Sequence, residues 1–457
     1  MNIIICGAGR VGYTIAKLLT EQDHSITVID QSSDDIKKIN DDLDVKSIVG
    51  KATFPSVLEQ ANAEEADMII AVTRNDEINM MICQIAFSVF KISKKIARIR
   101  AQEYLNPKFT NIYGKENLPI DVIISPEVEI AKSIQRKIEA PGTLDNVPFA
   151  DNKIRLIEID INSSCPLIDI KLEEITKKFP KLEANILGVI RNEKFIFLKK
   201  KDVLKQNDKA YVIINSSQME LTLKAFGHNE KISNKFLIIG GGNIGFNLAK
   251  NLESTLEQAR IKIVEKSKER AEFIASNLNN TLVINGNGLD EDVLREANIE
   301  DAETVLALTN DDEDNLMVGV LVEKFSQNKR TMVLTTKPNY SLLQTSLNID
   351  DLIDPRMNTV SSILKHVHKG TIESAYSILN GEYEVIEAEI IETSDLVNKE
   401  LKNADLPDEI KIGAVLRGKD VIIPRSNYVF KKNDIVVFIA KKDKIPLVEN
   451  IFRISAV

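Results

Sequence analysis

Residues 7–12 read Gly7-Ala8-Gly9-Arg10-Val11-Gly12, and an acid, Asp30, stands 18 residues after the last glycine. These residue types at this spacing suit holding a dinucleotide rather than breaking a bond. Gly7 permits a tight turn. Gly9 has no side chain, so a pyrophosphate can approach the backbone. Gly12 lets a helix pack close to a strand. A carboxylate at 30 can take both ribose hydroxyls of an adenosine, and it would repel a 2′-phosphate, which argues against NADP. The flanking sequence supplies the elements that must position them. Residues 3–6 are an apolar run fit for a short buried strand. Val11, Ile15, Leu18 and Leu19 then recur at helical spacing. Residues 25–29 form a second strand that delivers Asp30. The helix start adds free N–H groups and a partial positive charge for phosphate.

The same constellation returns. Residues 235–239 are apolar, Gly240-Gly241-Gly242-Asn243-Ile244-Gly245 follow, and a strand over 261–264 ends at Glu265. Residues 50–81 align without gaps on 286–317, with 13 of 32 positions identical. The identities include polar positions such as Asn79 and Asn315, read here as loop residues, which chance similarity between two units of one fold would not preserve. The chain is therefore an internal duplication. Strands over 45–49, 68–72, 95–99 and 121–124 alternate with helices over 54–61, 75–90 and 126–138, the last opened by Ser125 and Pro126, as Asp354 and Pro355 open its counterpart. This alternation predicts a doubly wound parallel sheet.

The intervening pieces, 143–225 and 372–457, also match one another. Each carries alternating strands (155–161 and 186–191; 384–390 and 412–417). Turns follow at Asn192 and Glu193 or Gly418 and Lys419. An Asn-Asp turn (Asn207 and Asp208; Asn433 and Asp434) then precedes a last strand, 210–214 or 435–439. The expected fold class is α/β: two Rossmann-like doubly wound parallel sheets, each followed by a small α+β domain. The boundaries fall at 1–142, 143–229, 230–371 and 372–457.

Other chemistry-bearing residues have plainer readings beside the functional one. Thr73 and Thr309 end the fourth strand of each copy, where they can bond ribose or phosphate, or cap the following helix. Arg98 on the fifth strand can meet a pyrophosphate or an adenine face, or pair with a carboxylate; Leu334 stands at that place in the second copy. Asp311, Asp312, Glu313 and Asp314 suit a helix N-terminus better than a cation site. His366 and His368, two apart, would point to different faces of a helix and read as solvated helix residues. His24 and His228 lie alone in loops. Pro141 with Gly142 and Lys369 with Gly370 end helices, as hinges or as caps. Cys6, Cys83 and Cys165 sit in apolar settings and read as buried thiols, not as a disulfide framework or a metal site. No catalytic constellation emerges.

The 457 residues carry a net charge of −9 with no basic block, which disfavours nucleic acid. No apolar run reaches the roughly 18–20 residues of a membrane span. The chain opens on a core strand, which reads as lacking a signal peptide.

Several motifs together resemble the TrkA family, regulatory subunits of Trk potassium uptake systems. They are C-G-A-G-R-V-G with Asp30, G-x-A-T before the short helix, A-V-T-R-N-D-E-x-N, the Ser-Pro-Glu crossover helix, G-G-G-N-I-G with Glu265, and I-I-P-R-S-N-Y-V-F-K-K-N-D-I-V near the C-terminus. The resemblance covers essentially the whole chain. It implies RCK-N and RCK-C domains, binding of NAD(H) or ATP/ADP, and self-association into a dimeric or tetrameric ring. It also implies docking from the cytoplasm on a membrane-embedded Trk-type transporter subunit, at the inner membrane, whose potassium transport the ring gates; on our reading nucleotide occupancy would shift the crossover helices at 126–138 and 355–368 and so reposition neighbouring Rossmann units. Carried over by position, the first site is Gly7, Ala8, Gly9, Arg10, Val11 and Gly12 with Asp30, Thr73, Arg74 and Arg98. The second is Gly240, Gly241, Gly242, Asn243, Ile244 and Gly245 with Glu265, Thr309 and Asn310. Leu334 departs from the first copy's arginine. An NAD-dependent oxidoreductase, or a regulator of another potassium channel or efflux system, stays open as an alternative.

Overall fold

The computed structural model describes all residues except 21–23, 115, 230, 326–328, 345, 365, 368–371, 380–381 and 453–457. His368, Lys369 and Gly370 thus lie outside the described residues.

The first half begins with β1 (Asn2–Cys6), α1 (Arg10–Thr20), β2 (Ser25–Asp30), α2 (Ser33–Asp42), β3 (Lys46–Val49), α3 (Pro55–Gln60), β4 (Met68–Ala71), α4 (Asp76–Ser88), β5 (Lys94–Arg98), β6 (Val122–Ile124) and α5 (Pro126–Glu139). The six strands are parallel in the order β3-β2-β1-β4-β5-β6. Ile3, Ile4 and Ile5 are buried on both faces of the sheet, as an apolar run in a covered parallel strand must be. The order reverses between β1 and β4, which opens a crevice beyond their C-terminal ends.

A small domain follows: β7 (Asp145–Phe149), β8 (Ile154–Asp160), α6 (Leu172–Lys178), β9 (Ala184–Arg191), β10 (Lys194–Phe197), β11 (Lys209–Asn215) and α7 (Met219–Ala225). The second half repeats the plan. Its parallel part is β12 (Lys235–Ile239), α8 (Asn243–Thr255), β13 (Arg260–Glu265), α9 (Lys268–Asn277), β14 (Thr281–Asn285), α10 (Glu291–Glu296), β15 (Thr304–Ala307), α11 (Asp312–Phe325), β16 (Arg330–Leu334), β17 (Asp351–Ile353) and α12 (Pro355–Leu364). Its sheet order, β14-β13-β12-β15-β16-β17, is the same. The last part is β18 (Ile372–Ile378), β19 (Tyr383–Glu389), β20 (Ile410–Arg417), β21 (Asp420–Ile422), β22 (Ile435–Lys441) and α13 (Ile445–Phe452).

The chain divides into two compact units, each drawn from both halves. One joins the two Rossmann sheets. In it α12 packs on α1 of the other copy, and Gln135 on α5 donates to Thr255 Oγ1 at the end of α8, 3.3 Å away. Each crossover helix therefore touches the helix that carries the other copy's glycine turn.

The other unit joins the small antiparallel sheets, β10-β9-β11-β8-β7 and β18-β19-β22-β20-β21. They share one apolar core, with Phe149, Leu187 and Ile213 against Val385, Leu416 and Val437. Lys411 Nζ enters this seam and donates to the carbonyls of Ile186, Leu187 and Leu198 at 2.7, 3.2 and 2.9 Å. Burial lowers its pKa to about 8. The repeated Asn-Asp turns place buried Asp208 and Asp434 where each accepts two bonds of 2.7 Å from an arginine fork, Arg191 and Arg417 respectively.

Several histidine expectations change. His366 follows the end of α12 and is not a helix residue. His228 is buried against Gly142, where an added Cβ would lie 2.4 Å from its Nδ1. His24 Nδ1 sits 3.5 Å from the amino group of Met1. The three cysteines are free and buried.

Candidate functional site

The three glycines of each turn meet three different environments. Gly7 has φ +117°, Gly240 has φ +104°, and an added Cβ at either would press on the backbone ending β4 or β15, at 3.0 and 2.9 Å. A Cβ at Gly12 would fall 1.8 Å from Gly7 O, and one at Gly245 2.2 Å from Gly240 O. The helices can pack this closely only without side chains there. Gly9 and Gly242 face open space, with nothing within 4 Å of an added Cβ. The turn is thus tight at its first and third glycines and open at its second. The first N–H groups of a helix have no intrahelical partner, so those beside this opening are available to a ligand.

The acids close the turn from β2 and β13. Asp30 Oδ2 accepts from Ala8 N at 2.6 Å and Oδ1 from Ser32 N at 2.8 Å. Glu265 repeats the pattern with Gly241 N and Ser267 N, both at 2.8 Å. Each carboxylate is oriented by backbone donors and keeps lone pairs for a hydroxyl. Arg10, Arg74 and Asn310 are exposed, while Val11, Asn243 and Ile244 are half-buried at the helix starts.

Thr73 and Thr309 do not cap the helices that follow. Asn75 Oδ1 accepts from Ile78 N, and Asp311 Oδ1 from Asp314 N, both at 2.9 Å. The threonine hydroxyls bond Asn79 Oδ1 and Asn315 Oδ1 at 2.7 Å. These asparagines are fully buried in the first turns of α4 and α11, not in loops. Asn79 also accepts from Thr73 N at 2.9 Å and donates to Arg98 O at 2.8 Å, and Asn315 does the same to Thr309 N and Leu334 O at 2.9 and 3.0 Å. Each asparagine ties the ends of two neighbouring strands into one rim. Their identity in the two copies was the available signal.

The two rims differ beyond this point. In the first copy Arg98 Nε, Ser125 Oγ and Glu127 Oε2 are buried without a hydrogen-bond partner. Arg98 makes no ion pair among the described residues; burial and the nearby Arg100 lower its pKa. Arg100 pairs with Glu127 Oε1 at 3.0 Å. In the second copy Leu334 is buried, and Arg356 pairs with Asp354 through Nε and Nη2 at 3.3 and 3.2 Å. The acids of 311–314 act as helix-start residues: Asp312 accepts from Thr336 N at 3.0 Å, and Glu313 binds Lys337 and Tyr340. Among the described residues no cluster of His, Cys, Asp or Glu could hold a metal ion, and no helix is long and apolar enough to cross a membrane.

Two family profiles match the chain in duplicate: the TrkA-N domain over residues 3–126 and 236–355, and the TrkA-C domain over 156–227 and 385–453. The Trk system potassium uptake protein TrkA of Azorhizobium caulinodans is 39% identical over 455 residues, covering 100% of this chain and 99% of its own. The protein of the same name from Haemophilus influenzae is 34% identical over 460 residues, with 100% and 99% covered. The chain belongs to the TrkA family. This is a family of potassium uptake proteins, not of enzymes. Among solved structures, the GsuK RCK domain superposes with a TM-score of 0.58 at 15% identity, covering 99% of this chain and 95% of that one. The GsuK channel bound to NAD gives 0.60 at 15%, covering 99% and 79%. At that identity the likeness establishes a shared RCK fold.

Proposed function

We propose that this TrkA-family chain is the nucleotide-sensing regulatory subunit of a Trk-type potassium uptake system. It works at the cytoplasmic face of the inner membrane and gates a separate membrane-embedded subunit. NAD(H), or ATP and ADP, would sit across the glycine turns, with phosphates at Gly9 and Arg10 and the adenosine ribose on Asp30. The observation that carries this reading is the open second glycine of each turn, flanked by a backbone-oriented carboxylate. Arg98, Ser125 and Glu127, with buried polar atoms unspent, suit the remainder of a dinucleotide. Because α1 packs on α12, and α8 bonds α5, occupancy at a turn would bias the crossover helices and through them a dimeric or tetrameric ring. Residues 1–142 and 230–371 would be the RCK-N segments, and 143–229 and 372–457 the RCK-C segments. A chain of net charge −9 would be drawn to the basic cytoplasmic loops of a membrane protein, an attraction that added salt should weaken.

The test is rubidium uptake into vesicles that hold the membrane subunit, with and without the purified chain and with NADH or ADP. Uptake should depend on the chain and respond to nucleotide, and Asp30→Ala should remove the response to NADH. Uptake indifferent to the chain would refute the reading. Reduction of NAD by the purified chain with a metabolite would point instead to an oxidoreductase.

A further inference from the structure

The two small sheets meet along β9 and β20, and each of these strands carries an extra residue there. Along β11 the partners step from Gly188 to Ile186, which leaves Leu187 as the extra residue of β9. Along β22 they step from Ala414 to Ile412, which leaves Gly413 as the extra residue of β20. A bulge of this kind takes carbonyls out of the ladder and re-aims them. The sheets can close over the bulges because position 413 has no side chain: an added Cβ would lie 2.4 Å from Ile213 Cδ1.

Carbonyls so freed need donors. Each bulge receives them from the other copy, and from the same place in it, the residue two before the bulge. Asn185 Nδ2 donates to Ile412 O and Gly413 O at 3.0 and 3.1 Å. Lys411 Nζ donates to Ile186 O and Leu187 O at 2.7 and 3.2 Å, and to Leu198 O, just past β10, at 2.9 Å. Donors and acceptors match in number. An amide has two N–H groups and meets two carbonyls; an ammonium has three and meets three.

The surroundings of Lys411 Nζ suit that headgroup and no other cation. Among the described residues Lys411 makes no ion pair, and Asp202 acts on it only at longer range. Carbonyl dipoles, rather than a carboxylate, hold its charge. A guanidinium is planar and cannot aim three N–H groups from one nitrogen, and a quaternary ammonium has none to aim.

We infer that the seam contains a site for a primary ammonium group, built from the bulge at Leu187 and the carbonyl of Leu198, and that the chain fills it with its own Lys411 to hold its two small domains together. Nucleotide at the glycine turns has no part in it. The test is thermal melting of the purified full chain and of Lys411→Ala, each in propylammonium chloride, the piece of side chain that the substitution removes, and in tetramethylammonium chloride at equal concentration. Lys411→Ala strands three carbonyls and should melt about 5 °C or more below the native chain. Propylammonium should recover most of that loss and tetramethylammonium none of it, while the native chain responds alike to both salts. Lys411→Met fills the space without a donor; it should melt below the native chain and respond alike to the two salts. If Lys411→Ala gives no folded chain, Lys411→Met decides alone, and a melting temperature at or above the native value would overturn the inference. Lys411→Ala melting like the native chain, or gaining no more from propylammonium than from tetramethylammonium, would overturn it equally.

Discussion

Gly9 and Gly12 are three residues apart in one turn and should fail in opposite ways when changed to alanine. At Gly12 the new Cβ would stand 1.8 Å from Gly7 O, against a normal contact of about 3.4 Å or more, with the Gly7 carbonyl carbon at 3.0 Å and the Val72 side chain at 3.5 Å. Helix α1 would have to lift away, taking buried Ile15 and Leu19 with it. Overpacking of that kind costs about 2–3 kcal/mol. At Gly9 the new Cβ meets nothing within 4 Å and the backbone is not in the left-handed region. The unliganded fold should be untouched, or steadied by about 0.4–1 kcal/mol because the unfolded chain loses freedom. The same methyl would occupy the space assigned to the pyrophosphate. Losing two charge-assisted bonds from the turn, at about 1.5–3 kcal/mol each, weakens binding at least about a hundredfold. Urea unfolding and NADH titration of both variants read the two effects separately. Gly9→Ala that binds NADH like the native chain would show that no phosphate lies over Gly9. Gly12→Ala with native stability would show that the close approach of α1 is not required.

Other variants probe the supports of the site and of the small-domain unit. Asn79→Ala strands Thr73 N–H and the Arg98 carbonyl in a buried rim; a loss of about 2–5 kcal/mol by urea unfolding is expected, with weaker NADH binding. Asp434→Ala leaves Arg417 without the carboxylate that takes two of its N–H groups, and should lower stability by about 3–5 kcal/mol, with Asp208→Ala behaving alike in the other copy. Burial raises the pKa of Glu384 to about 7, against about 4.5 when unfolded. Between those pH values the folded chain holds the extra proton, so stability falls as pH rises across the window. Glu384→Gln should flatten that slope and stabilise the chain at pH 8 by up to about 3 kcal/mol, as read from melts between pH 5 and 8.

Much of this was legible in the residues themselves, for identifiable reasons. Parallel strands buried on both faces announce themselves as apolar runs, and a glycine turn followed by an acid needs its glycines at fixed places. β7 is less visible because Pro148 interrupts it; the sheet accepts the proline there since β7 is an edge strand. β18 and β21 are edges too, and carry weak patterns for the same reason. Asn79 stood out as an identity between the copies, yet its place depends on which residue caps α4. With Asn75 as the cap, position 79 turns inward to the rim, which a reading with Thr73 as the cap does not foresee. The packing of α12 on α1 joins residues more than 300 positions apart, and nothing local encodes it.

The central claim is that the first glycine turn and its acid form a working nucleotide site. Titration of the whole purified chain with NADH, beside the same titration of Asp30→Ala, tests it most directly. Saturable binding that the native chain shows and Asp30→Ala loses at least tenfold is the predicted result. No binding to the native chain, or equal binding to both, would contradict it.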